Sequence, residues 1–284
     1  MLRGAVWAIA VATLASAAGC RQILGLDPPT RGAGPGIDGG SDAAITDDDQ
    51  DGDGVPDSAD NCPTVANADQ ADYDRDGHGD VCDLCPHLAS AADPDSDRDG
   101  VGDACDPRPG LVDKRSYWTS FRDPGEIATW TQSGTWTVGP GGVTQTSSST
   151  PSATLELPGN LNRPYVATTV TPSSSAPIPS AVAITVVGTS SYGCGVYATS
   201  SSTQLVEQVQ SVTTQTPWTE PYAGAQIAMT QNLVTDEQDC EAYEAGGSVR
   251  AMQSLGSATS GTVGLYTVDT PATFAYLFVV ETSP

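Results

Sequence analysis

The residues of this chain best placed to do chemistry are aspartates. Between Asp49 and Asp106 the pattern D-x-D-x-D-G-x-x-D-x-x-D occurs three times. The first copy is Asp49, Asp51, Asp53, Gly54, Asp57 and Asp60. The second is Asp72, Asp74, Asp76, Gly77, Asp80 and Asp83, and the third is Asp95, Asp97, Asp99, Gly100, Asp103 and Asp106. Each copy begins 23 residues after the last, and a fixed internal period marks an array. Aspartates at alternate positions can turn toward one hard cation if the chain bends sharply. Ca²⁺ suits them, since it takes about 6–8 oxygens at about 2.3–2.6 Å. The glycine after the third aspartate supplies the bend, because it lacks a Cβ. The next residue (Val55, His78 or Val101) can offer its backbone carbonyl at loop position seven. Asp57, Asp80 and Asp103 fall at position nine, and Asp60, Asp83 and Asp106 at position twelve. A solvated acidic linker, held open by self-repulsion, would have no reason to keep this register.

These loops are not EF-hands. An EF-hand needs a helix on each side, usually with Glu at position twelve. Position twelve here is Asp, and Pro63 and Pro86 oppose an exiting helix. With Asp60-Asn61-Cys62-Pro63, Gly79-Asp80-Val81-Cys82-Asp83 and Gly102-Asp103-Ala104-Cys105-Asp106-Pro107, the array resembles thrombospondin type 3 repeats over about residues 47–108. The resemblance implies a calcium-wrapped rod with almost no hydrophobic core, whose ligands are the aspartates named above. The middle linker departs from it, reading Asp83-Leu84-Cys85-Pro86 where Asp-Asn-Cys-Pro is usual.

Within that framework each repeat has two cysteine slots. Ala59 fills the early slot of the first repeat and Arg108 the late slot of the last, so the four cysteines present match only between neighbours. The expected bridges are Cys62–Cys82 and Cys85–Cys105. Zinc is the rival reading of Cys82-x-x-Cys85, but a Cys₄ site usually brings two close pairs. An exported chain also favours disulfides.

The formal charge of −24 is concentrated in this array. Residues 47–106 hold 19 Asp and two Arg, a net −17. Such a segment repels itself open unless counter-ions compact it. The acidity describes an ion-dependent fold and argues against nucleic acid as a partner.

The N-terminus reads as an address. Arg3 is followed by an apolar run, Ala5 to Ala18, too short to span a bilayer. It ends Ala17-Ala18-Gly19-Cys20, which resembles a bacterial lipoprotein signal with Cys20 lipidated, although Leu is commoner than Ala at the position of Ala17. An ordinary cleaved signal with a spare thiol is the alternative. Seven cysteines leave one over after three bridges, and Cys20 is the natural leftover. Arg21 in second place, rather than Asp, points to the outer membrane by resemblance to known sorting rules. Residues 21–46 are Gly-, Pro- and Ala-rich and read as a flexible tether.

After Arg115 the composition changes to Thr, Ser, Val, Gly and Tyr, so 109–115 reads as a linker and 116–284 as one mainly β domain. About 170 residues suffice for one core. Strand-like runs recur between turn signals: 117–121, 135–138, 153–157, 165–170, 181–187, 193–199, 204–209, 226–230, 248–253, 262–268 and 273–280. Evenly spaced strands suggest a sandwich. In the last run Phe274, Tyr276, Phe278 and Val280 share one face and Ala275, Leu277 and Val279 the other. Both faces are apolar, as in a strand central to two packed layers. Phe121, Trp130, Gly134 to Val138, Gly261 to Tyr266 and Phe274 to Val279 together resemble a concanavalin A-like, laminin G-like jelly roll. Cys194 and Cys240 remain as a pair, bridging two strands or a strand and a loop.

Catalytic constellations are sparse. Glu237-Gln238-Asp239-Cys240-Glu241 has the E-x-D-x-E spacing of lichenase-type glycosidases, which would put three carboxylates on one strand face. Those enzymes carry apolar residues between the carboxylates, whereas here stand Gln238 and a half-cystine. The segment therefore reads as an acidic loop, and the chain as not an enzyme. His78 and His87 read as exposed loop residues. Trp118, Trp130, Trp136 and Trp218 read mainly as core, with Trp218 the best placed for exposure. The whole describes a calcium-binding, lipid-anchored surface protein whose sandwich binds a glycan or a protein. A structural envelope spacer and a jelly-roll glycan hydrolase are the alternatives.

Overall fold

The computed structural model describes residues 48–282 apart from 148–151, 177–178, 189, 211, 220–221, 236, 245–246 and 256–259. Cys20, the expected signal and the whole tether lie outside the described residues. Among the described residues no helix is long and apolar enough to cross a membrane.

The C-terminal region is almost entirely β. In chain order the strands begin with β1 Asp113–Thr119, β2 Thr131–Ser133, β3 Trp136–Gly139, β4 Gly142–Gln145, β5 Ser152–Glu156 and β6 Leu161–Asn162. Next come β7 Tyr165–Pro172, β8 Ser180–Gly188, β9 Ser191–Ala198, β10 Thr203–Val209, β11 Val212–Trp218 and β12 Ile227–Asn232. The last are β13 Glu237–Glu244, β14 Gly247–Ser254, β15 Ser260–Val268, β16 Ala272–Phe274 and β17 Leu277–Thr282.

They form two antiparallel sheets. One runs β14-β13-β12-β7-β16-β4-β3, with β17 joining β7 to β1; the other runs β11-β10-β9-β8-β15-β5-β2, with β6 beside β15. Alternation explains the layering. Val182, Ile184 and Val186 of β8 face Ile227 and Met229 of β12 in one interior, together with Leu155, Leu205, Leu265 and Phe274. The Cys194–Cys240 disulfide joins β9 to β13 and so ties the two sheets together.

Several expectations differ from this structure. The segment 109–115 is not all linker, since β1 begins at Asp113. The last run is two strands, not one: it breaks at Ala275–Tyr276, which puts Phe274 in the inter-sheet core and Tyr276 on the opposite face. Trp218 is buried at the end of β11, 5 % exposed, where it packs into the inter-sheet core.

The outward face of β17 is not bare. Tyr276, Phe278 and Val280 pack with Ala167 of β7 against Cys85, Val101 and Cys105 of the aspartate repeats, with Tyr73, Trp118 and Tyr165 at the margin. The repeats thus form a third layer lying on the sandwich. Burying a side chain the size of Phe278 is worth about 1.5–3 kcal/mol. That apolar contact gives the repeats an interior that their own sequence lacks. His87 takes part in it, with ring centroids 4.5 Å from Phe278 and 5.1 Å from Tyr276, so it is not an exposed loop residue.

Candidate metal centres

Each repeat folds through its own carboxylates. At position one, Asp49 accepts from the N–H groups of Gly52 and Gly54 at 2.8 and 3.1 Å, and Asp72 from Arg75 and Gly77 at 2.7 and 3.2 Å. Asp95 accepts from Arg98 and Gly100 at 2.6 and 3.1 Å. Position six has the left-handed backbone the sequence requires, with φ of 95°, 98° and 88° at Gly54, Gly77 and Gly100. Position five does two jobs. Asp53 accepts from Val55 at 2.8 Å and Asn67 at 2.7 Å, and Asp76 from His78 at 2.8 Å and Ser90 at 2.7 Å. Asp99 accepts from Val101 at 2.8 Å and from the N–H of Asp113, the first residue of β1. The second partner always lies 14 residues on. The sandwich is therefore entered in register with the array.

These bonds bring positions one, three and five together. The groups Asp49/Asp51/Asp53, Asp72/Asp74/Asp76 and Asp95/Asp97/Asp99 each offer carboxylate oxygens within 4.8 Å of one another. Position nine is not in those groups. Asp57, Asp80 and Asp103 instead brace the loop by accepting from Gln50, Tyr73 and Ser96 at 2.8, 2.7 and 2.8 Å. Position twelve braces the next turn, where Asp60, Asp83 and Asp106 accept from Cys62, Cys85 and Arg108 at 2.8, 2.7 and 2.7 Å. At position seven the N–H groups of Val55, His78 and Val101 are those bound by position five. The disulfides Cys62–Cys82 and Cys85–Cys105 link successive repeats as expected.

The fit to a cation rests on what these bonds leave over. One oxygen of Asp51, Asp74 and Asp97, always position three, is buried with no hydrogen-bond partner; so is one of Asp60 and of Asp106. A buried carboxylate oxygen without a partner is costly. Its recurrence at one loop position across three repeats is what an oxygen-binding divalent ion would relieve. The carboxyl groups crowd accordingly. Burial, followed by the charge of neighbouring aspartates, holds Asp51 and Asp74 above the usual carboxylate range. Burial pushes Asp83 up to about 7 and Asp106 to about 6. Asp95 lies low, its burial outweighed by the N–H groups of Gly100, Arg98 and Asp99.

One residue of this network was missed by sequence reasoning. Asp93 accepts from Leu84 N–H at 2.9 Å, as Gln70 does from Asn61 at 3.0 Å one repeat earlier. The 23-residue register could have found it, since residues 70 and 93 occupy equivalent positions.

The Glu237 to Glu241 segment is a strand, not a loop. In β13 Gln238, Cys240 and Ala242 are fully buried, leaving Glu237, Asp239 and Glu241 on the outer face. Gln238 is accepted inside because its amide donates to Gly193 O at 2.8 Å. Asp239 is held by the Arg250 guanidinium of β14, and Glu241 accepts from the Tyr243 hydroxyl at 3.1 Å.

Residues 37–70, 70–92 and 94–107 match the family model of the thrombospondin type 3 repeat. No curated protein matches the chain. Among solved structures it is similar to the carbohydrate-binding module CBM66 from Bacillus subtilis, at 16% identity and a TM-score of 0.41 over 55% of this chain and 97% of that one. It is also similar to the winged bean acidic lectin complexed with methyl-α-D-galactose, at 7% identity and a TM-score of 0.47 over 59% and 98% of the two chains. A legume lectin-like domain from Entamoeba histolytica matches at 10% identity and a TM-score of 0.47 over 58% and 97%.

Proposed function

We propose that this chain is a calcium-binding, lipid-anchored protein of the cell envelope in which the repeats, loaded with Ca²⁺, hold a non-catalytic recognition sandwich that binds a glycan or a protein. The observation that carries the calcium reading is the buried, unpartnered oxygen at position three of every repeat. The three Asp triads would hold the ions, with Asp60, Asp83 and Asp106 nearby. Bound Ca²⁺ would offset the crowding of negative charge that otherwise opposes compaction. The lipid would sit on Cys20, with the outer membrane as its destination. The test is titration of the full chain with Ca²⁺ under native mass spectrometry, followed by chelation. Uptake of several ions, with a larger hydrodynamic radius and faster proteolysis within 47–108 after chelation, is expected. No uptake, or no change on chelation, overturns the reading.

A second reading, glycan hydrolysis, draws on Glu237, Asp239 and Glu241 sharing one face of β13. The Arg250 fork on Asp239 and the hydroxyl on Glu241 speak against it, since both acids are already engaged. Glucan turnover that disappears in Glu237→Gln would be required to prefer it.

A further inference from the structure

The outer face of the β8–β9–β10 sheet, away from the repeats and from β13, holds an open groove of about 300 Å³. Strand register builds it. Tyr266 of β15 lies beside Ala183 of β8, Ala183 beside Gly195 of β9, and Gly195 beside Val206 of β10. Tyr197 stands on β9 two residues further along. Small residues thus floor a trough with Tyr266 and Tyr197 at its margins; Gly193 lies on the other side of Gly195 from Tyr197, and the exposed Gln208 and Gln215 line the rim, the Gln208 amide donating one N–H to Gln210 O at 3.0 Å. The tyrosines are two strands apart, about 10 Å across the sheet at a strand spacing of about 4.8 Å. That width admits a single ring.

The two glycines of the floor have different reasons. A Cβ on Gly195 would meet Ala183 Cβ and Val182 O, both at 2.5 Å, so strand packing requires the glycine. A Cβ on Gly193 would meet nothing closer than Gln208 Cβ at 3.6 Å, and its φ is not in the left-handed region. The fold does not need glycine there. Glycine inside a strand costs up to about 1 kcal/mol in β preference and often marks a close approach by a ligand or another backbone.

The occupant follows from charge and backbone pairing. Among the described residues no ionisable acid or base other than tyrosine lines the groove, although the chain carries 35 acidic residues. A charged ligand would lose water there and gain no counter-charge. A peptide strand would find no backbone partners, because β9 is already paired on both sides by β8 and β10, and strand addition needs a free edge. What remains is a neutral ring with an apolar face for the tyrosines and hydroxyl groups for the glutamine amides. We propose that this groove binds a neutral hexose polymer and that Gly193 opens its floor. The proposal rests on the recognition reading above and places its site.

The test uses the full chain at saturating Ca²⁺, with Gly193→Val and Tyr266→Ala. Affinity electrophoresis in soluble neutral β-glucan, mannan and galactan supplies the probes, and thermal unfolding runs in parallel. The wild type should be retarded by at least one polymer. Gly193→Val should keep or raise the Tm yet weaken binding at least tenfold, and Tyr266→Ala should weaken it similarly. A lowered Tm in Gly193→Val would show that the fold needs that glycine and would sink the argument. Retardation unchanged in both variants, or wild-type binding confined to charged polysaccharides or to a protein, refutes the groove and leaves the recognition reading standing. Wild-type protein that binds no glycan of any kind and no protein refutes both.

Discussion

His87 should make the contact between repeats and sandwich sensitive to acid. Its ring stacks on Trp118 at 6.2 Å and lies closer still to Phe278 and Tyr276, and its Nδ1 is buried without a partner. Burial pushes its pKa down from 6.5 to about 3. The neutral ring is therefore the folded form. Between those values the unfolded chain holds a proton that the folded chain does not. The stability is intact above about pH 6.5 and is lost as pH falls toward about 3. At pH 5 the gap from the unfolded value is about 1.5 units, or about 2 kcal/mol. Asp83 and Asp106 run the other way in the ion-free chain, where their pKa values are raised and protonation favours the fold. A single pH profile would mix these terms. His87→Phe isolates one of them, since it keeps a ring of similar size and removes the titration. Urea midpoints followed by tryptophan fluorescence, at pH 7.5 and pH 5 with Ca²⁺ saturating, give the comparison. The variant should gain about 2 kcal/mol on the wild type between the two pH values. A difference that stays constant would refute the buried, neutral ring and with it the packing assigned to His87.

Asp76→Ala removes two backbone hydrogen bonds, to His78 and Ser90, and one member of the middle triad. At about 1.5 kcal/mol for each bond to a charged group, the Cys62–Cys82 and Cys85–Cys105 bridges should become reducible at least about tenfold faster in a thiol-trapping assay. Equal rates would count against the middle repeat as the support of both bridges. Glu207→Gln should stabilise the sandwich. Burial, followed by the Asp239 charge, raises Glu207 to about 7, and both its oxygens are buried and unpartnered. Its contribution is intact below about pH 4.5 and is lost as pH rises through about 7, so the variant should gain up to about 3 kcal/mol at pH 8 and nothing at pH 4; a loss at pH 8 would contradict this. Joint Cys194→Ser and Cys240→Ser opens a link spanning 46 residues, worth about 4 kcal/mol. A fall in the guanidinium midpoint of much less than that would mean that packing alone holds the sheets together.

The candidate metal centres were legible because ligand chemistry needs particular residue types at particular spacings. The triads, the glycine bend and all three bridges could be read from Asp, Gly and Cys positions. The second partner of position five could not, because it is a backbone N–H (of Asn67, Ser90 or Asp113) and any side chain can stand there. β13 was misread for a similar reason. Gln238 looked too polar for a core position, yet its amide N–H finds the Gly193 carbonyl, while its Oε1 stays unpartnered, and that partner comes from a strand 45 residues away.

The strand with two apolar faces, β17, contained the most information and was the hardest to read. Its pattern demands a layer on each side. In an all-β domain the second layer is expected to be a sheet. Here it is the acidic array, whose composition denies it a core of its own. The two features explain each other. Cys85, Val101 and Cys105 are the few apolar groups the array can spare from its loops, and they lie where Tyr276, Phe278 and Val280 need cover. Asp99 then anchors the start of β1, the strand paired with β17. An acidic segment with little core of its own and a sheet face that cannot stay bare in water therefore share one contact. On the calcium reading proposed above, an ion that compacts the array would also protect that face, and the free energy of binding it would become stability of the sandwich.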